Sequence, residues 1–155
     1  LPSIFRPQMT ENFALEELTR SDYAIRKGLD NTPNPDVEAN LLILAQGLER
    51  IRALLGRPLI ISSGYRSPKV NAGVGGSDKS YHMKGLAADF TVPYMTPAQV
   101  CYEVEAFKDQ VLYDKIILEF GRWVHVQFPE PEEPPRLATY TIRSAKEGYI
   151  GGIHA

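Results

Sequence analysis

Ser80-Tyr81-His82-Met83-Lys84-Gly85-Leu86-Ala87-Ala88-Asp89 sets a histidine seven residues ahead of an aspartate. Gly85, Ala87 and Ala88 are small enough to let neighbouring chains approach closely between them. A second histidine, His125, stands in the apolar run Trp123-Val124-His125-Val126-Gln127-Phe128. Two imidazoles and one carboxylate are a common three-ligand zinc set, which leaves a fourth position for water. The chain has three histidines, so any histidine-based site must draw on His82, His125 and His154. His154 lies in a glycine-rich tail and is read as idle. Taken alone, the His82–Asp89 spacing arises more often by coincidence than in a metal site, so the elements around it must decide.

Side chains alternate along a strand. Val124, Val126 and Phe128 therefore take the core face, while Trp123, His125 and Gln127 share a polar surface. There His125 is either a ligand or a satisfied surface histidine beside a tryptophan. Glu119 is the natural general base, and hairpin register tests it. With Phe120-Gly121-Arg122 as a three-residue loop, Glu119 pairs with Trp123 and Ile117 with His125. That puts Glu119 on the face of His125, roughly 5–8 Å away on the diagonal, close enough to hold a water at a metal. A two-residue loop at Gly121-Arg122 would turn Glu119 to the wrong face. Arg66, in Ser63-Gly64-Tyr65-Arg66-Ser67-Pro68, could clamp a carboxylate or a developing oxyanion with its planar fork. The plain alternative is a solvated loop arginine.

Other chemistries find little support. Gly73-Val74-Gly75-Gly76-Ser77-Asp78-Lys79-Ser80 superficially matches a phosphate loop, but Asp78 stands where the glycine before the lysine belongs. No Gly-x-Ser-x-Gly elbow is present. Cys101, the single cysteine, excludes an intrachain disulfide and reads as a small buried hydrophobe.

The elements that must position these residues follow from periodicity and turn chemistry. Residues 1–12 read as an extended lead-in, with a short helix starting over Thr10–Leu18. Residues 30–35 form a loop. From Asp36 to Leu55, apolar residues recur every three or four positions, the mark of an amphipathic helix, and Gly56 with Pro58 stops it. Pro58–Ser63 is expected as a buried strand, and Gly64–Tyr81 as a long loop with a helical turn at Pro68–Ala72. Ala87–Val92 is a second strand. Thr96-Pro97-Ala98-Gln99 is a capping box that opens a helix. Tyr113–Glu119 and Trp123–Phe128 form the hairpin. Residues 129–135, PEPEEPP, are a stiff solvated connector. Leu137–Ser144 reads as an edge strand, and Gly148–Ala155 as a frayed end.

Composition bounds the whole. The chain has 155 residues, 43% hydrophobic and 23% charged, with 12 Gly and 12 Pro, as in an ordinary globular domain. Its net charge of −2 provides no basic footprint for nucleic acid or anionic membrane. No apolar run approaches the roughly 18 residues of a membrane span. No signal peptide is visible, and the chain starts at Leu1 rather than Met, which is consistent with removal of a leader or a neighbouring domain. One domain over residues 1–155 is expected, with its core at about 10–128, the connector at 129–135, and a strand and tail at 136–155.

Ser80-x-His82-x-x-Gly85-x-Ala87-x-Asp89, preceded by Ser63-Gly64-Tyr65-Arg66-Ser67 and followed by Trp123-Val124-His125-Val126, resembles the zinc D-Ala-D-Ala carboxypeptidases. Their superfamily includes the L-alanyl-D-glutamate endopeptidases of phage endolysins and shares the hedgehog-type fold. The resemblance runs from about Asn12 to Phe128 and is closest to small phage and prophage members. It implies one Zn2+ held by His82, Asp89 and His125. It also implies Arg66 on the substrate carboxylate or oxyanion, and Ser80 lining the same subsite beside Trp123. Many members carry the catalytic acid three residues before the last zinc histidine. Arg122 stands there in this chain, so Glu119 is nominated instead.

The fold expected is α+β, with helices on one side of a small, mainly antiparallel sheet and the zinc cleft on the open side. The function expected is hydrolysis of peptidoglycan stem peptides by a monomer acting on the cell wall. The setting, whether host lysis, a phage tail or wall remodelling, is left open. Two rivals are a non-catalytic, metal-bearing cell-wall binding module and a glycan hydrolase using Asp89 and Glu119 as paired carboxylates.

Overall fold

In the computed structural model, which describes residues 7–155, the apolar periodicity of Asp36–Leu55 becomes helix α3 (Pro35–Leu55). The expected lead-in at residues 1–6 lies outside the described residues. Asn34 caps α3, its side-chain oxygen accepting from Val37 N–H at 2.9 Å, and Gly56 ends it. Leu41, Leu44, Ala45, Leu48 and Ile51 line its fully buried face. Two short helices precede it. α1 (Leu15–Thr19) is shorter than the Thr10–Leu18 reading, because Gln8 bridges to Ala14 in extended form. α2 (Asp22–Lys27), capped by Ser21, has no counterpart in the sequence reading.

The rest of the chain builds one six-stranded sheet around short helices. β1 (Ile60–Ser63) is followed by α4 (Pro68–Gly73), the helical turn expected after Pro68. β2 (Ala87–Thr91) leads into α5 (Pro97–Ala106), opened by the Thr96/Gln99 capping box, and then α6 (Lys108–Val111). β3 (Lys115–Glu119) and β4 (Trp123–Gln127) form the hairpin, and β5 (Ala138–Ile142) and β6 (Tyr149–Gly151) complete the sheet. The strand order is β1-β2-β4-β3-β5-β6, antiparallel throughout except for the parallel β3–β5 pair. This is the α+β architecture expected.

Alternation then separates two faces. Ala88, Phe90, Ile116, Leu118, Val124 and Val126 enter the core, where α5 covers β3 and β4 and α3 packs behind α5. Burial of these apolar side chains, about 1.5–3 kcal/mol for each one larger than alanine, is the main force holding sheet to helices. Asp89, Ile117, Glu119, His125 and Gln127 take the opposite face by the same register.

Three expectations need correction. Pro58–Ser63 is not a buried strand: β1 (Ile60–Ser63) lies at the sheet edge, with Ile60 56% exposed. Leu137–Ser144 is not an edge strand. The 129–135 connector carries the chain back to the start of β3, where Leu137 and Ala138 N–H donate to the Tyr113 and Asp114 carbonyls at 3.2 and 3.0 Å, so β5 runs parallel to β3 and lies inside the sheet. Nor is the end frayed. β6 pairs with β5, Gly152 N–H donates to Thr139 O at 2.8 Å, and His154 N–H donates to Thr141 Oγ1 at 2.9 Å. The backbone N–H of His154 thus helps pin the end of the chain, while its ring stays outside the cluster of His82, Asp89 and His125.

Candidate metal centre

The β3–β4 register decides the face of Glu119. Glu119 pairs with Trp123 and Ile117 with His125, the arrangement of the three-residue loop. Asp89, at the middle of β2, pairs with His125 from the other side, so the two residues stand next to each other on the open face. His82 arrives from the turn just before β2. Gly85, at φ 75°, reverses the chain where a side chain would strike Val37 of α3. Ser80 Oγ accepts from His82 N–H at 3.1 Å and braces the same turn.

Three donor atoms converge as a result. His82 Nε2 lies 3.3 Å, and His125 Nδ1 3.1 Å, from Asp89 Oδ1. One ligand atom from each residue falls within 4.8 Å of the others. The rings meet edge-on with centroids 5.2 Å apart, and all three side chains are buried. The far ring nitrogens are engaged too. His82 Nδ1 donates to Gly64 O at 2.7 Å, leaving Nε2 free to ligate. Gly64 itself packs against the end of α1, where a Cβ would lie 2.3 Å from the Leu18 carbonyl oxygen. His125 Nε2 lies 3.0 Å from Gln127 Oε1. Two imidazoles aimed at one carboxylate oxygen, each backed by an acceptor, fit a borderline-soft divalent ion such as zinc.

Electrostatics agree with the geometry. Burial by itself favours a neutral Asp89, but the His82 and His125 rings overcome it and hold the carboxyl far below the ordinary range. His125 is raised: burial opposes its charge, and Asp89 and Glu119 outweigh the burial. Burial pushes the Glu119 carboxyl up, with the Asp89 charge adding to the rise and His125 opposing it. A carboxylate so raised is suited to taking and returning a proton. Its Oε1 lies 3.8 Å from His125 Nδ1 and accepts from the Trp123 indole N–H at 3.1 Å.

Arg66 joins the cluster from the β1–α4 turn, Nη2 lying 3.7 Å from Asp89 Oδ2. Nε donates to Ser63 Oγ at 3.3 Å and Nη1 to Asn71 Oδ1 at 3.0 Å. Ser63 reaches that place because a bulge between Ile61 and Ser63 sets it opposite Asp89. The structure thus brings together His82, Asp89, His125, Glu119, Arg66 and Trp123, with Ser80 at the rim. Arg122 is exposed in the turn. His125 and Gln127 are buried rather than part of the polar surface expected, at 8% and 6% exposed, while Trp123 beside them is half-buried. Cys101 is buried in the core, and burial pushes its thiol up to about 12, which excludes a nucleophile.

Sequence reasoning missed Asn71, Asp114, Arg136 and Tyr149. Tyr149 sits opposite Ile142, which sits opposite Glu119, so all three share one row on the open face. Burial and the Glu119 and Asp89 carboxylates push its phenol up. Gln127 was visible through strand alternation. Asn71 meets Arg66 from five residues further on, whereas Asp114, Arg136 and Tyr149 reach the site through tertiary pairing, for which the sequence carries no periodic signal.

A buried cluster of three potential metal ligands with a carboxylate at its edge defines the class: a candidate metallohydrolase centre on the open face of a sheet. Residues 11–127 match the family described as Peptidase M15. The chain belongs to the peptidase M15 family. It is also 37% identical over 81 residues to the zinc D-Ala-D-Ala carboxypeptidase of Streptomyces albus G, a match covering 50% of this chain and 30% of that protein. The chain therefore spans less than a third of that relative's length.

Proposed function

We propose that this protein is a zinc peptidase that hydrolyses a peptidoglycan stem-peptide bond next to a D-amino acid. The observation that carries the reading is the convergence of His82 Nε2, His125 Nδ1 and an Asp89 oxygen within 4.8 Å, with Glu119 beside them. His82, Asp89 and His125 would hold one zinc ion. When bound, that ion supplies Lewis-acid polarisation of the scissile carbonyl and acidification of water.

The chain's own residues supply the rest. Glu119, raised by burial and kept in place by the Trp123 indole, takes the proton of the attacking water and returns it to the leaving amine. Arg66 stays protonated despite the lowering caused by burial, because guanidinium pKa values lie so high. Its fork faces the cluster and binds the terminal carboxylate or the developing oxyanion. Ser80 and Trp123 line the subsite beside it. Tyr149 stands two strands from Glu119 on the opposite flank, about 10 Å between backbones, within reach of a substrate carbonyl.

The relative's name, a D-Ala-D-Ala carboxypeptidase, supports the carboxy-terminal cut, and a guanidinium suited to a free carboxylate supports it too. Mass spectrometry of purified peptidoglycan digested by the protein tests the reading. Loss of a terminal D-alanine, abolished by chelator and restored by zinc, is expected. An internal stem-peptide cut would reassign the specificity, and an unchanged peptide pool would overturn the hydrolase reading in favour of wall binding.

A further inference from the structure

Both ring nitrogens of His125 are in contact. Nδ1 faces the cluster, 3.1 Å from Asp89 Oδ1, and Nε2 faces Gln127 Oε1 at 3.0 Å. A neutral imidazole carries one N–H, so only the tautomer protonated at Nε2 keeps a lone pair on Nδ1 for an ion. The group that Gln127 presents decides which tautomer forms. A glutamine amide fits the same space turned end for end, and with its NH2 toward His125 it would select the wrong one.

Gln127 cannot turn. Its Nε2 donates to Asp114 Oδ2 at 3.0 Å, and an ionised carboxylate only accepts. A reversed amide would press its oxygen against that carboxylate. Asp114 is fixed in turn by Arg136, whose Nε donates to Oδ1 at 2.8 Å, Nη2 to Oδ2 at 2.6 Å, and backbone N–H to Oδ1 at 3.3 Å. Asp114, Gln127 and His125 are 2%, 6% and 8% exposed, so water competes little along the chain of bonds. The direction of every donor is thereby set from the guanidinium inward.

We propose that Gln127, Asp114 and Arg136 are positioning residues that lock His125 in its Nε2–H tautomer and so set the affinity of the cluster for its divalent ion. Arg136 acts from an exposed position at the entry to β5, beyond the residues 11–127 that match the family. Metal affinity is thus tied to docking of the C-terminal strands, which a domain ending at β4 would lack.

The proposal rests on the ligand set given above, and zinc binding by the full chain separates the two. Chelator competition measures affinity, and long-range 1H–15N correlation of labelled histidines reads the tautomer. Wild type should show His125 ligated at Nδ1 with a proton on Nε2. Gln127→Leu, close in size, should weaken zinc by roughly 10–100-fold. Arg136→Ala should weaken it by roughly 3–10-fold, and Arg136→Lys, which keeps the charge, should recover part of that loss. Wild-type affinity and an unchanged tautomer in Gln127→Leu would overturn the relay. Should that variant fail to fold, Arg136→Ala carries the test, and unchanged zinc affinity there overturns it equally. A wild-type chain that binds no zinc would overturn the ligand set itself.

Discussion

Oε1 of Glu119 lies 3.8 Å from Nδ1 of His125, across a hairpin whose register pairs Glu119 with Trp123. A single added or deleted residue in the turn would send the carboxylate to the core face. Its closeness to a candidate ligand nitrogen, together with the rise caused by burial, supports it as the proposed base. Glu119→Gln keeps the size and the Trp123 contact but cannot take a proton. It should bind zinc as wild type does while kcat on stem peptides falls roughly 10²–10⁴-fold. Near-normal turnover would move the base elsewhere.

Arg66 is held at three points, by Ser63, Asn71 and Asp89, so its fork is pre-organised. Arg66→Lys keeps the charge and loses the two-pronged geometry. Steady-state kinetics should show a fall of about 10²–10³-fold in kcat/KM with zinc content unchanged. A variant as active as wild type would reduce Arg66 to a structural ion-pair partner.

The Tyr149 hydroxyl can be removed without touching the ring. Tyr149→Phe should raise KM roughly 2–10-fold, the worth of one neutral hydrogen bond, with kcat and zinc affinity little changed. An unaltered KM would leave β6 a purely structural strand.

Much of this site was legible from residue types and alternation. His82 and Asp89 stood out as candidates by residue type, but their spacing alone did not decide a ligand set, which rested on the family resemblance; the two-residue period of β4 set His125 and Gln127 on one face. The register that places Glu119 hung on whether its turn has three residues or two, which the sequence left open and the β3–β4 pairing decides. What could not be read was long-range pairing. β6 is three residues long, ends in a glycine and has no apolar alternation, so nothing local marks it as a strand, yet the bond from Thr141 to Gly152 just beyond it holds it in place. α2 is six residues long, too short for a periodic signal. Asp114 and Arg136 look like solvated charges in the sequence because their partnership spans 22 positions.

Acid stability probes the Asp114–Arg136 pair. Burial alone would raise the Asp114 carboxyl, but the Arg136 fork, the Gln127 amide and the Arg136 N–H hold it below the ordinary aspartate value. A depressed folded-state pKa contributes stability above the unfolded value of about 3.9, and that contribution is lost as pH falls below it. Urea denaturation at pH 7 should show Asp114→Asn less stable by about 1–3 kcal/mol. Between about pH 4 and pH 2 the variant should lose stability less steeply than wild type, because the titrating group is gone. Parallel pH profiles would contradict this account of the pair.

Metal content tests the central claim most directly. After equilibrium dialysis against dilute zinc, inductively coupled plasma mass spectrometry of the purified chain should find one zinc per molecule in wild type. His82→Ala, Asp89→Ala and His125→Ala, each still folded, should all fall to background. Full zinc occupancy in any one of these variants, or none in wild type, would contradict it.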